Sequence, residues 1–314
     1  MCFLCLFVAE KFFVPLCGMD LVDQIANAIL YEGYILYPYR RSAVKNQQRW
    51  NFGVLYPRSY AEAQTGHDPW RMQTECLALV TPQTQVTVRA RFLHAISCDG
   101  WQEATEREVT IASIPVNHLE SPQSESFSFD VHETHVGAIV RRNEALNGEI
   151  TLAVEGLAEN LCTFRVVLSN CTEFTGQTRD FALLKSLLSA HIVLSLKGGE
   201  FISLLDPPEN FQPAAAACKN IGCWPVLVGP EGARDTMLAS PIILYDYPQI
   251  AAESAGDLFD GTEIDEILSL RILTLTEDEK REMCATDERA RRILQRTEEL
   301  PVEQLAKMHG TLRR

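Results

Sequence analysis

The segment AILYEGYILYPYRRSAVKNQQRWNFGVLYP, residues 28–57, joins the end of a predicted helix to two predicted strands and a basic loop. Upstream, Leu21, Ile25 and Ile29 recur at the spacing that places side chains on one face of a helix. Asp20 is the predicted N-cap, and Gly33 is predicted to end the helix. We expect the rest of the chain to be organised around this segment.

The two strands are predicted at Tyr34–Tyr37, which is followed by Pro38, and at Trp50–Tyr56. In the second segment, large apolar side chains alternate with other residues, which is the period of a half-buried strand. We therefore expect a hairpin-like pair that holds the intervening loop from both sides.

The loop between these strands mixes basic side chains with aromatic rings. Such a mixture can hold a carboxylate, a phosphate or an acidic partner surface through charge-assisted hydrogen bonds. The alternative is a solvated turn whose arginine stems cover the neighbouring rings. We predict that one contact surface for a protein partner is formed by Arg40, Lys45, Asn46 and Trp50.

The composition limits the classes of protein. The chain has 314 residues, of which 46% are hydrophobic, enough for a proper core and about two domains. Its formal net charge of −14 argues against nucleic-acid binding, which needs a concentrated positive surface.

Most of the middle of the chain has the alternation of antiparallel strands. We predict an α+β fold with a mostly antiparallel, sandwich-like β core, an N-terminal helix and a helical, acidic C-terminal tail. The clearest predicted strands are Gln73–Val80, Val86–Leu93, Glu106–Ile114, Ile150–Val154 and Cys162–Leu168.

Other segments are less regular. Asn117–Asn147 is polar and is predicted as a long connection with one short strand at Phe127–Val131. Phe181–Leu188 has the apolar spacing of a short helix. The last strand is predicted at Ser240–Tyr245 and is cut off by Pro248.

From Asp246 to Glu279, ten carboxylates accompany the single Arg271. Helices are predicted from Thr262 to Leu270 and from about Glu277 to Glu298, the latter with a weak apolar face. Acidic and basic surfaces on one molecule can steer partner encounters, or meet within the fold or across a dimer. We predict a second contact surface formed by Asp257, Asp260, Glu263 and Asp265.

Metal signals are incomplete. His132 and His135 form an H-x-x-H pair, but no third or fourth ligand is visible nearby. Cys218 and Cys223 are too loosely spaced for a zinc knuckle. The acidic run can offer oxygen ligands to a divalent cation, yet it lacks the pattern of an EF-hand loop. We predict no bound metal and no cofactor.

The first eighteen residues, Met1–Gly18, are apolar but make a poor export signal. No basic segment precedes them, Glu10 and Lys11 interrupt them, and they are too short to span a bilayer. We expect a non-native or disordered leader before a start at Met19; a small docking strand or anchor is the alternative. The predicted units are residues 1–18, a core of 19–245 and an acidic helical extension of 246–314.

No catalytic motif is recognisable: the glycine-rich turns do not match a phosphate-binding loop, and there is no G-x-S-x-G elbow. A nucleophile paired with a distant histidine stays possible, because triad partners need not be close in sequence. We predict no catalytic residues. The ten cysteines lack the dense spacing of a secreted disulfide scaffold, which favours a reducing, cytoplasmic location.

Two blocks resemble a bacterial family that is associated with the gene clusters of uptake NiFe-hydrogenases. The first is AILYEGYILYPYRRSAVKN with RWNFGVLYP; the second is SPIILYDYPQIAAESAGDLFDGTEIDEILSLRILTLTEDEK. The LLDPPE segment at Leu204–Glu209 is similar too. The leader departs from the family pattern, which begins near Met19.

The resemblance implies an accessory or maturation protein that contacts a hydrogenase subunit or its assembly factors, and it implies no mechanism. We therefore expect a non-catalytic, cytoplasmic binding protein with a protein partner, no nucleic acid and no stable membrane span. The alternative is a metal-dependent hydrolase or metal carrier with a site between the opening loop and the tail. The oligomeric state is left open.

Overall fold

Two antiparallel sheets pack face to face, and helices and irregular segments cover the outer face of the second sheet. The computed structural model describes residues 20–64, 66, 68–176, 178–250, 256–260 and 264–308. The expected leader at 1–18 and the start at Met19 lie outside these residues. The α+β class with a sandwich-like core is confirmed.

The first sheet has five strands in the order β10-β1-β8-β7-β4. All of its neighbouring strands are antiparallel. Their bounds are β1 Arg71–Leu79, β4 Gln123–Phe129, β7 Leu146–Gly156, β8 Leu161–Asn170 and β10 Glu200–Phe201.

The second sheet has the order β11-β12-β9-β2-β6-β5, and β3 pairs with the other edge of β2. The long strand β2 pairs with β9 along most of its length and with β6 at its end. The bounds are β2 Gln85–Cys98, β3 Trp101–Pro115, β5 His132–Val136, β6 Ile139–Asn143, β9 Leu188–Lys197, β11 Trp224–Leu227 and β12 Thr236–Ser240.

The faces of β2 show why this sheet lies in the middle of the molecule. Val88, Ala90 and Phe92 point into the apolar core between the sheets, while Leu93 and Ala95 belong to a second apolar cluster on the outer face. Because successive side chains of a strand point to opposite faces, a strand that is apolar on both faces must be covered twice. The sheet therefore needs a helical layer outside it.

Helices of the outer layer come from both ends of the chain. Helix α1 packs Val22, Ile25 and Ile29 against Val193 and Leu238 of the sheet. The C-terminal helices add Leu268, Met283 and Ile293 to the cluster that contains the opening segment. The helix bounds are α1 Leu21–Tyr31, α2 Val44–Gln47, α3 Arg58–Ala63, α4 Arg179–Leu183, α5 Gln212–Ala217, α6 Asp265–Leu273, α7 Glu277–Thr286, α8 Glu288–Glu298 and α9 Val302–Met308.

The predicted opening strands are wrong. Residues 34–37 form bends and turns, and residues 50–56 contain only an isolated bridge between Leu55 and Leu187. Tyr39 and Trp50 have positive φ angles, which a regular strand does not allow. The alternation at residues 50–56 arises because large side chains are buried in two different apolar clusters, and not because the segment pairs as a strand.

Three further expectations differ from the structure. The connection at 117–147 contains β4, β5 and β6 instead of one strand. The last strand is β12, so that residues 241–245 lie beyond it. The long charged helix is interrupted at Asp287, whose extended backbone separates α7 from α8. Among the described residues, no helix is long and apolar enough to cross a membrane.

An arginine-lined cleft as the candidate functional site

Two of the predicted contact residues are buried. Asn46 is 3% exposed, and its amide binds the Leu36 N–H, the Leu36 carbonyl and the Arg40 carbonyl at 2.8–3.0 Å. Trp50 is 5% exposed, and its indole N–H donates to the Gln102 side chain at 3.1 Å. These side chains support the loop from inside, and both also contribute to the wall of an open cleft.

The two charged residues of the same surface face the acidic tail. Arg40 forms ion pairs with Glu279 at 3.3 Å and with Glu282 at 3.6 Å. Lys45 lies 4.0 Å from a carboxylate oxygen of Asp260, with half of its side chain exposed. The basic loop is thus partly neutralised within its own chain.

The residues of the predicted acidic surface differ in their exposure to solvent. Asp260 is buried, where its carboxylate accepts from the Tyr37 N–H at 3.1 Å. Asp257 is exposed, and its backbone carbonyl accepts from Arg296 at 2.6 Å. Asp265 is partly exposed, and Glu263 lies outside the described residues. Of the arrangements expected for the two charged surfaces, the structure has the one in which they meet within the fold.

Hydrogen bonds from tyrosine hydroxyls of the opening segment strengthen the contact between the loop and the tail. The Tyr39 hydroxyl donates to the Leu258 carbonyl at 2.7 Å, and the Tyr34 hydroxyl donates to Asp287 at 2.8 Å. Burial raises the pKa of both tyrosines, and nearby carboxylates raise it further. Both phenol groups therefore stay protonated at neutral pH, and their hydrogen bonds hold the tail against the loop.

On its other side, the opening segment borders an open cleft of about 700 Å³. The turn between β2 and β3, the start of α4 and strand β6 complete its walls. The cleft is lined by Arg41, Asn46, Gln47, Arg49, Trp50, Ser97, Cys98, Asp99, Gly100, Trp101, Gln102, Val140, Arg142, Arg179, Asp180 and Leu183.

The floor of the cleft is built around Arg49, which is 4% exposed. Its guanidinium carbon lies 3.7 Å from the ring centre of Trp101 and 4.7 Å from that of Trp50. One terminal nitrogen, Nη1, donates to the Tyr34 carbonyl at 2.7 Å. Burial lowers the pKa of Arg49 to about 10, so the group remains a cation at neutral pH, held by aromatic faces.

Two donors on this floor have no acceptor among the described residues. They are Nη2 of Arg49 and the indole Nε1 of Trp101, and both atoms are buried. A buried donor without an acceptor costs about 1–3 kcal/mol, so such groups are rare in folded proteins. Both donors thus lie enclosed at the floor of the cleft without an acceptor from the described residues.

The other arginines of the cleft differ in their partners. Arg142 is paired with Glu144 at 2.8 Å and with Glu133 at 3.3 Å. Arg179 binds uncharged groups, the Tyr56 hydroxyl at 3.2 Å and the Trp50 carbonyl at 3.1 Å. The Arg41 guanidinium likewise donates to backbone carbonyls, those of Asp99 and Ala285 at 3.4 Å.

The metal signals remain separate in the structure. His132 and His135 lie on the exposed strand β5, where His135 is 3.3 Å from Glu133. Cys223 is buried, and its thiol donates to the Gln73 carbonyl at 3.1 Å. Across the described part of the chain, no cluster of three or more histidine, cysteine or acidic side chains is placed to hold a metal ion.

Sequence reasoning missed the cleft because Arg49, Trp101 and Arg179 are far apart along the chain. Arg49 belongs to the basic loop, and the Cys98-Asp99-Gly100 turn joins two strands, so neither carries a local pattern of a binding site. The signal present in the sequence is Arg49-Trp50, an arginine beside a tryptophan. In comparisons with known proteins, no family model matches the chain, and no curated protein matches it.

Proposed function

We propose that this chain is a non-catalytic accessory protein that acts by binding another protein, and that its main contact is the edge strand β5. The observation that carries the proposal is the exposure of this strand: each residue from His132 to Val136 is open to solvent. Strand β5 ends the second sheet, and its outer edge has no partner among the described residues.

Unpaired backbone groups on a sheet edge are a template for a strand from another chain. Apolar side chains accompany this edge, with Val136 58%, Ile139 41% and Val140 42% exposed. Val140, on the neighbouring strand β6, also lines the arginine cleft, so the cleft begins one strand away from this edge. An incoming segment can pair with β5 and reach the cleft.

The register of the hairpin identifies the free donors. Val136 is opposite Ile139 across the loop of Gly137 and Ala138, and His135 is opposite Val140. In a two-residue hairpin the residues that flank the loop exchange hydrogen bonds, and the next pair does not. The N–H groups of His135 and Glu133 therefore point away from β6 and are open to a partner.

The association with hydrogenase assembly rests on the resemblance of the two sequence blocks. The structure brings these blocks into contact: Gly53 of the first lies against Pro241 of the second. A cytoplasmic location is part of the proposal. It agrees with the free thiols of all the cysteines within the described residues.

The test is affinity capture of the NiFe-hydrogenase large subunit and its assembly factors from the native cells, with tagged His135→Pro as the variant. Proline removes the outward N–H and is tolerated on an edge strand. We expect at least a tenfold loss of captured partner. His135→Ala, which keeps the N–H, is the matched control and should retain it.

Two results would contradict the proposal. Equal capture by both variants would exclude pairing at β5. Unchanged hydrogenase activity after disruption of the gene, with no hydrogenase protein captured by the unaltered chain, would exclude the hydrogenase context.

A further inference from the structure

The cleft has an imbalance of charge that the fold itself does not resolve. Among the described residues, no carboxylate forms an ion pair with Arg41, Arg49 or Arg179, whose acceptors are carbonyls and a hydroxyl. Asp287 and Glu103 act on the charge of Arg49 without direct contact. Arg142, in contrast, is neutralised by Glu133 and Glu144. Two aspartates, Asp99 and Asp180, line the same cleft, so the arginines outnumber the acids.

This positive cleft belongs to a chain with a formal net charge of −14. Many arginines elsewhere in the described residues have a carboxylate partner, as Arg89 has Asp23 and Arg165 has Glu75. Arginines left without one, in a concave site, are an arrangement that attracts anions. Charge and shape thus indicate the same class of ligand.

The floor adds a specific geometry. Trp101 lies beneath the Arg49 guanidinium and holds it in place, as does the bond from Nη1 to the Tyr34 carbonyl. The two unsatisfied donors, Arg49 Nη2 and Trp101 Nε1, belong to these stacked groups. Two N–H donors from neighbouring rigid groups suit the two oxygens of a carboxylate, and arginine binds this planar anion well.

We propose that the cleft is a binding site for a carboxylate, with Arg49 and Trp101 as its donors and Arg41 and Arg179 as neutralising charges. The carboxylate belongs to a small organic acid or to the side chain of an acidic peptide. The proposal goes beyond protein binding at β5 and does not depend on it, since the purified chain is sufficient for the test.

The experiment is calorimetric titration of the full chain with citrate, with the blocked peptide Ac-Asp-Glu-NH₂, and with inorganic phosphate, at constant ionic strength. Saturable binding of citrate or of the peptide is expected, with phosphate at least tenfold weaker. Tighter binding of citrate assigns the site to a free acid, and tighter binding of the peptide assigns it to a protein segment.

Two variants test whether the ligand binds in this cleft. Trp101→Phe keeps an aromatic ring under Arg49 but removes the indole donor, and we expect roughly five- to tenfold weaker binding. Arg41→Gln changes an exposed side chain, and a weakening of about threefold or more is expected. The matched control is Arg58→Gln, because Arg58 lies 4.7 Å over the ring of Trp70 outside the cleft.

The outcomes that overturn the proposal are definite. Absence of saturable heat with citrate and with the peptide at millimolar concentration would exclude a carboxylate site. Phosphate binding as tight as that of citrate would exclude the carboxylate preference. Equal citrate affinity of the unaltered chain, Trp101→Phe and Arg41→Gln, all with native circular dichroism, would exclude this cleft as the location.

Discussion

Asn46 makes three hydrogen bonds to backbone that belongs to no helix or strand. Regular structure satisfies its own N–H and C=O groups, whereas an irregular buried segment needs side chains for this purpose. The opening loop keeps its shape through Asn46, and Arg49 adds a bond to the Tyr34 carbonyl. Asn46, which was expected at a binding surface, thus serves as an internal support of the loop.

Asn46→Ala should lower the free energy of unfolding by about 2–4 kcal/mol, because it leaves buried backbone groups without partners. The exposed neighbour Gln47 gives the control: Gln47→Ala should change stability by less than about 0.5 kcal/mol. Urea denaturation measures both. Similar small losses for the two variants would show that the loop does not depend on Asn46.

Glycine at position 53 permits the contact between the two sequence blocks. Its φ is +55°, and a Cβ atom there would lie 2.7 Å from the Pro241 side chain. Gly53→Ala should cost about 2–4 kcal/mol through backbone strain and displacement of the proline. Gly137 has a φ of +63° but no atom within 4 Å of its added Cβ, so Gly137→Ala should cost only about 1 kcal/mol. Equal losses in thermal or urea denaturation would exclude the contact as the cause.

At the scale of the elements, alternation predicted the strands that pair over long stretches. The core strands β1, β2, β3, β7 and β8 agree with the expected segments. Burial alternates most regularly in β7 and β8, whereas β1 and β2 also contain runs of consecutive buried residues. The same rule failed at residues 50–56, where alternating large side chains occur without strand pairing. Alternation in the sequence indicates which side chains are buried, but it does not show whether the segment pairs with another strand.

The tail helices show a second limit of sequence reasoning. The charged segment after Glu277 was expected to have a weak apolar face, yet α7 and α8 bury Met283, Ile293 and Leu294. Few apolar residues suffice because arginine stems and tyrosine rings complete the contact, as in the stack of Arg289 on Tyr31. The interruption at Asp287 was visible in principle, since aspartate before Glu288 is a frequent N-cap.

Ile293→Ala should destabilise the protein by about 2–5 kcal/mol, because Ile293 is 1% exposed between the tail and the opening segment. Gln295→Ala, on the exposed side of the same helix, should be nearly neutral. The difference in urea midpoint between the two variants is the measurement. Equal midpoints would mean that the tail is not part of the cooperative core.

At the scale of the whole molecule, two buried histidines make the free energy of unfolding depend on pH. Burial, with help from Arg107, lowers the pKa of His94 to about 4; burial and Arg91 lower that of His191 to about 3. The unfolded chain binds a proton on each near pH 6.5, while the folded chain does not. Stability is therefore lost as the pH falls below about 6.5, down to the folded pKa values.

Between pH 7 and pH 5, each of these histidines should cost roughly 2 kcal/mol of unfolding free energy. His94→Gln removes one titrating group. Between pH 7 and pH 5, this variant should therefore lose roughly 2 kcal/mol less unfolding free energy than the unaltered chain. His132→Gln, on the exposed strand β5, should keep the original pH dependence. Identical pH dependence of all three proteins in urea titrations would exclude buried histidine as the cause.

The candidate site could not be predicted because it exists only at the scale of the molecule. The cleft joins the opening loop, the turn after β2 and the start of α4, and no local pattern relates Arg49, Trp101 and Arg179. Residue types alone suggested anion binding by the opening loop. Of the residues chosen for that surface, Asn46 and Trp50 line the cleft, whereas Arg40 and Lys45 face the tail.

The bond between Tyr34 and Asp287 joins positions 253 residues apart, which has a consequence for biosynthesis. A ribosome adds about 5–20 residues per second, so the early segment waits roughly 10–50 seconds for the helices that cover it. During that interval the rings at the start of the chain are bare, and a nascent-chain chaperone has its natural opportunity to engage them.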